Sequence, residues 1–202
     1  RRSSDLNRFL TIGNIAKISI LAALSFILML FSFPLPFAPH FMKIDLGDVP
    51  ALIATFSMGP LYASLVVILK IIIKVIIKGS QTFYVGDLSN IIVGVAFVAI
   101  SGIIYKRKKS FKNAIISMVL GVVSMTVFAT LSNYFFIIPL YAKILKQPID
   151  NFIRAGAKVN PFVNSYATLI IFAIVPFNLV KGFIEVLVIL PLYKKLSPIL
   201  KK

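Results

Sequence analysis

A chain of 202 residues that is 59% hydrophobic, with a mean hydropathy of +0.97, carries far more apolar surface than a soluble domain of its size buries. Apolar runs of roughly 18 residues or more recur, which excludes a soluble globule and is too long for the ~10-residue strands of a membrane barrel. The chain has no cysteine, a lone histidine (His40) and a net charge of +16 gathered at segment ends; disulfides, thiolate catalysis, His-clustered metal sites and a nucleic-acid partner are excluded, and the basic excess reads as a topology signal with affinity for anionic lipid.

A first helix is predicted over 7–33, after the basic start Arg1-Arg2-Ser3-Ser4-Asp5-Leu6-Asn7-Arg8. It is too long for a removable signal peptide and lacks a small-residue cleavage site. Ser19 and Ala23 stand one turn apart on one face, where small side chains let another helix approach; ordinary packing inside the bundle is the alternative. Pro34, Pro36 and Pro39 then forbid a regular helix. The stretch Phe41-Met42-Lys43-Ile44-Asp45-Leu46-Gly47-Asp48-Val49-Pro50 is polar and charged between two apolar segments. It reads as a lid or recognition loop, with a solvated connector as the alternative. Asp48 is placed to cap the next helix, and Pro50 falls in its first turn.

A short second helix over 48–58 ends at Gly59-Pro60, and a third covers 61–78. Together they predict a tight hairpin whose first arm spans only part of the bilayer. Lys70, Lys74 and Lys78 share a face of the third helix. Lys78 can snorkel, but Lys70 lies near mid-membrane, where an ionised side chain costs on the order of 3 kcal/mol. It needs a cavity, a partner or a carboxylate, and Glu185, the one acid inside a late helix, is a candidate counter-charge that the sequence alone does not fix.

Residues 79–87 read as a loop, and a fourth helix over 88–105 carries Asn90 and Gly94 in its first turns. The basic run 106–112 leads into a fifth helix over 113–141, with a polar patch at Thr130, Ser132 and Asn133. A long loop, 142–162, precedes a sixth helix over 163–192, which holds Pro176, Asn178, Lys181, Gly182 and Glu185. Six spans put both termini on one side. The positive-inside rule assigns that side to the cytoplasm, leaving the 41–50, 79–87 and 142–162 loops outside. The expected fold is therefore all-α: one six-helix transmembrane domain over 1–202, multi-pass in the cell membrane.

Asn133, Asn178 and Lys181 sit where hydrocarbon should dominate. Asn178 and Lys181, three apart, share a face, and Pro176 can kink the helix beside them. Polar groups at this depth default to a functional site, with hydrogen bonding between helices as the alternative. An asparagine offers a donor beside an acceptor, lysine adds a positive donor, and Tyr134, Phe135, Phe136 and Phe177 supply aromatic surroundings. The set suits a flat heterocycle with one polar edge rather than an ion or a sugar.

The stretch Phe41 to Leu52, followed by Gly59-Pro60, resembles the first-loop signature of the riboflavin-specific S component of energy-coupling factor (ECF) vitamin transporters. Val85-Gly86 with Asn90 and Gly94, Leu131-Ser132-Asn133-Tyr134-Phe135, and Pro176-Phe177-Asn178-Leu179-Val180-Lys181-Gly182 are similar to its other motifs, in order along nearly the whole chain. The resemblance implies an S-component-like bundle that captures riboflavin from outside, with no cofactor of its own and no enzymatic activity. It implies flavin contacts from Asn133, Asn178 and Lys181, further binding positions at Asn90 and Gly86, and a first loop that closes over the ligand with Phe41, Lys43 and Asp45. It also implies a membrane-embedded T component docked on the small-residue face, here Ser19 and Ala23 where the family favours Ala-x-x-x-Ala. Two ATPase subunits supply the energy, and the loaded subunit reorients in the bilayer. A further expectation is that Lys70, Lys74 and Lys181 make the cavity positive enough to accept flavin mononucleotide (FMN) as well.

Three readings compete. An S component for a cationic flat vitamin such as thiamin calls for carboxylates or an aromatic cage. A secondary transporter would use Lys70, Lys74 or Glu185 for ion coupling, but the chain is short and no inverted repeat is clear. A membrane enzyme lacks a Ser/His pair, a His cluster or paired intramembrane carboxylates.

Overall fold

The computed structural model describes residues 11–39 and 41–200, the last five as backbone only. The basic start 1–8, the first-helix residues 7–10, His40 and Lys201-Lys202 lie outside the described residues.

Helix α1 (Ile12–Leu30) is capped by Thr11, whose side chain accepts from the Asn14 amide. The prolines that follow end it, as expected. The segment after it is not an open connector: β1 (Phe33–Pro34) pairs antiparallel with β2 (Lys43–Ile44), closing a short hairpin that ends before the α2 cap residue Asp48. Helices α2 (Val49–Ser57) and α3 (Pro60–Lys78) form the predicted helical hairpin. Gly59 makes the reversal at φ +104°, a conformation glycine adopts without a Cβ penalty, and Pro60 opens α3 where no donor is needed. Asp48 occupies the N-cap position of α2 but its side chain makes no capping bond. Its carboxylate is engaged elsewhere.

Helix α4 (Val85–Arg107) begins three residues before its expected start, so the preceding loop is only 79–84. α5 (Phe111–Ser132) widens into a π-helical segment (Asn133–Ile137) and continues as α6 (Ile138–Ile144). The stretch 142–162, expected as a loop, contains α7 (Ile149–Ala157). Ile149, Phe152 and Ile153, spaced for one helical face, pack on the core, while Pro148 and Asp150 suit its first turn. The last span is α8 (Tyr166–Leu169), a second π segment (Ile170–Ile174) and α9 (Val175–Leu200).

Among the described residues, five helical runs are long and apolar enough to cross a membrane: Ile12–Leu30, Pro60–Lys78, Val85–Arg107, Phe111–Ile144 and Tyr166–Lys195. The second of the six predicted helices, α2, has nine residues, about 13 Å of helix, and does not cross alone, in keeping with the partial span expected of it. It is instead a plug: Val49, Ala51, Leu52, Ala54 and Phe56 are all buried. Phe56 meets Tyr105 and Tyr193 edge-on at 4.8 and 5.1 Å, and the two tyrosine hydroxyls lie 2.7 Å apart, joining α2, α4 and α9 at the far end of α4.

A polar cavity under the first hairpin

Both spans that carry the asparagines are broken, the first at Asn133 and the second one turn before Asn178, and a proline follows each break. In the first π segment the Ile138 amide reaches back to the Asn133 carbonyl. The next donor in that register would come from residue 139, a proline without an N–H. The Tyr166 hydroxyl serves the stranded Tyr134 carbonyl instead, at 2.6 Å. In the second break Pro176 cannot serve the Phe172 carbonyl four residues back, and Asn160 Nδ2 donates to it at 2.9 Å. The kink expected from Pro176 is thus a π segment with an outside donor, and Asn160 belongs to the stretch whose role the sequence left unread.

These breaks set Asn133 and Asn178 on the wall of a cavity of about 700 Å³. Asn133, Asn178, Lys181, Asn90, Phe41, Lys43, Asp45 and Gly86 all line it. Each asparagine directs Nδ2 to a carbonyl one turn back in its own span, Asn133 to Ala129 and Asn178 to Ile174, both at 2.8 Å. Neither amide bonds across to a neighbouring span among the described residues, so the interhelical alternative is not what the chain has built. With that proton used locally, the amide oxygen and second N–H remain for the cavity.

The aromatic surroundings differ from the expected set. Tyr134, Phe135 and Phe136 are 40%, 71% and 49% exposed on the outer face of the bundle. Phe177 is buried against Ala38 and Ile44. The aromatic cavity walls are Phe41, Tyr141 and Phe152. Phe41 from the first hairpin meets Phe152 from α7 edge-on at 6.0 Å, so hairpin and helix touch at the cavity wall. Periodicity could have found Phe152, had 142–162 been tested for a short amphipathic helix.

The charged groups also pair differently from the expectation. Lys70 is bound to Asp48, not Glu185, and does not line the cavity. Lys181 Nζ lies 3.3 Å from Asp48 Oδ2, 3.6 Å from Asp45 Oδ2 and 4.0 Å from Glu185 Oε1. Asp45 is itself held by the Gly47 amide at 2.7 Å. Lys74 donates to Asp87 Oδ1 at 2.6 Å, and Ser80 donates to Asp87 Oδ2 at 2.5 Å. The acids whose pairing sequence reasoning missed are therefore Asp48 and Asp87, 22 and 13 residues from Lys70 and Lys74, separations that no spacing rule connects. Thr130 and Ser132 bond backward to their own helix, at 2.8 and 3.3 Å, and take no part in the cavity.

The cavity has two chemical ends. The α9 end offers Asn133, Asn178 and Lys181. The α3–α4 end offers Lys74, Lys78, Gln81, Thr82, Ser89 and Asn90. Met29, Met42, Val93 and Ile137 supply apolar wall. Gly86 admits the close approach of neighbours there: a Cβ would fall 2.6 Å from Tyr141 Oη and 2.9 Å from Thr82 Oγ1. Ser19 and Ala23 are exposed on α1, away from the lining residues Met29 and Leu30.

A family model described as ECF transporter, substrate-specific component, matches residues 13–193. The riboflavin transporter FmnP of Bacillus subtilis (strain 168) is 32% identical over 188 residues, 93% of each chain. The riboflavin transporters RibU of Staphylococcus aureus (strain TCH60) and Streptococcus thermophilus are 31% and 33% identical, covering 92% and 93% of this chain and 90% and 84% of theirs. A solved S component of a bacterial ECF transporter superposes with a TM-score of 0.72 at 29% identity, covering 94% of this chain and 98% of that one.

Proposed function

The chain belongs to the substrate-specific components of ECF transporters, and on that premise we propose that it binds riboflavin in the cavity under the first hairpin and presents it for import. It is a multi-pass membrane protein and not an enzyme. The observation that carries the reading is the convergence of two amides and one ammonium on one wall of a cavity whose size falls in the usual range for small-molecule sites. The flavin ring has an imide edge with alternating acceptors and a donor. Asn133 and Asn178 match that alternation, and Lys181 adds a donor to a ring carbonyl. Met29, Met42 and Ile137 face the ring, with Phe41 and Phe152 closing over it. The ribityl hydroxyls then lie toward Gln81, Thr82, Ser89 and Asn90, and Asn90 and Gly86 belong to that end.

A cationic vitamin fits less well, because the carboxylates at the cavity already carry lysine partners: Asp45 with Lys181 and Asp87 with Lys74. FMN is accepted through Lys43 and Lys78, which line the cavity outside those ion pairs, rather than through Lys70, which does not line it. Because α2 carries the chain from the hairpin down to Tyr105 at the far end of α4, it makes the return crossing together with the hairpin, and both termini face the cytoplasm with the hairpin and α7 outside. The exposed Ser19–Ala23 face of α1 docks a membrane-embedded T component, which with two ATPase subunits drives import as the loaded subunit reorients.

The test is uptake by a riboflavin auxotroph at limiting vitamin. Growth that requires this chain together with T and ATPase subunits, and that depends on ATP rather than membrane potential, supports the reading. Uptake by this chain alone that collapses with the membrane potential overturns it in favour of a secondary transporter.

A further inference from the structure

Behind the cavity wall lies a second polar layer that touches no cavity space. Lys70 and Asp48 are bound to each other and are 2% and 1% exposed. Sealing such a pair from water is expensive, and well-packed apolar residues of similar volume often serve stability as well or better. Its position suggests what it does. Asp48 Oδ1 takes Lys70, and Oδ2 lies 3.3 Å from Lys181 Nζ. A carboxylate clamped at one oxygen presents the other in a fixed direction.

The clamp joins three elements: Asp48 heads the buried plug α2, Lys70 is on α3 and Lys181 is on α9. Gly94 on α4 closes the packing around it, since a Cβ there would lie 3.1 Å from Asp48 Oδ1. The other carboxylates near Lys181 are worse anchors. Asp45 rides on the first hairpin. Glu185, one turn on in α9, is fully buried and stands 4.0 Å away, with neither oxygen hydrogen-bonded among the described residues.

We propose that the Lys70–Asp48 pair is a positioning relay that aims the Lys181 ammonium into the cavity. The proposal rests on the riboflavin reading of that cavity. With Asp48 fixed, Lys181 keeps its direction when Asp45 moves with the hairpin. Without it, the ammonium follows the hairpin or turns back toward Glu185, and the flavin loses an aimed donor.

The experiment is a cycle on purified protein, reading riboflavin Kd by fluorescence quenching and the visible absorption bands of the bound flavin. The neutral double variant Lys70→Met/Asp48→Asn removes both charges together, so no single charge is left buried and unpaired. Folding is checked by gel filtration and Tm. In the Lys181-containing protein the double variant weakens Kd about tenfold or more and shifts the flavin bands; in a Lys181→Met background the same pair changes Kd by less than about twofold. Equal losses in both backgrounds mark general packing and overturn the relay, as does wild-type affinity with unshifted bands. If the neutral pair does not fold, Lys70→Arg, which keeps the charge but alters its geometry, is run through the same cycle with the same two criteria. Failure of the wild-type protein itself to bind riboflavin sinks the parent reading instead, and is read before any variant.

Discussion

Replacing Asn178 by alanine tests the α9 wall with little disturbance to the fold. The side chain is 5% exposed, lines the cavity and holds one local bond, Nδ2 to the Ile174 carbonyl at 2.8 Å. Losing that bond costs about 1 kcal/mol of stability, because the Ile174 carbonyl stays within a helical span. Losing the amide that faces the ligand leaves a buried imide group unpaired, which costs about 1–3 kcal/mol of binding. The expected result is riboflavin affinity about 5- to 150-fold weaker, with only a small fall in the Tm of the unliganded protein. Titration of detergent-purified protein by flavin fluorescence quenching reads the first quantity, and a thermal shift without ligand reads the second. An affinity within about twofold of wild type, for both Asn178→Ala and Lys181→Ala, removes α9 from the site and refutes the assignment.

Three further outcomes are expected. Phe152→Ala deprives the Phe41 ring of its edge-on partner at 6.0 Å, so flavin dissociation measured by stopped flow speeds up by about tenfold while association changes little; an unchanged off-rate removes α7 from the closure. Gly86→Val pushes into Tyr141 Oη and Thr82 Oγ1, which a Cβ already meets at 2.6 and 2.9 Å, so binding weakens by about tenfold or more, and a Kd equal to wild type contradicts the placement of the cavity edge. Asn160→Ala strands the Phe172 carbonyl left without a donor by Pro176, lowering stability by about 1–3 kcal/mol in denaturation midpoints, whereas no loss means the carbonyl finds another donor.

The hydropathy pattern was enough to place the long helices, because apolar length is set by the bilayer itself. The polar trio was legible for the same reason: Asn133, Asn178 and Lys181 violate a rule that the surrounding residues obey. What stayed hidden depends on distance in space. The pairing of Lys70 with Asp48 joins a residue of α3 to the cap residue of α2, 22 positions earlier, and no spacing rule links them. Glu185 looked the better partner only because it was the visible acid within a late helix. The aromatic walls were misassigned because nearness in sequence to Asn133 is not a shared face: Asn133 and Ile137, one turn apart, line the cavity, while Phe135 and Phe136 between them point outward. Helix α7 was missed because its nine residues are too few for a hydropathy run and begin after a proline, which reads as loop. The β1–β2 hairpin was missed because two-residue strands have no pattern to detect.

The most direct measurement is the visible absorption spectrum of the protein purified from cells grown with riboflavin. The account predicts a yellow protein carrying close to one flavin per chain, its fluorescence quenched by the aromatic lid and restored on denaturation. A colourless protein that also leaves added riboflavin fluorescent at saturating concentration would contradict it.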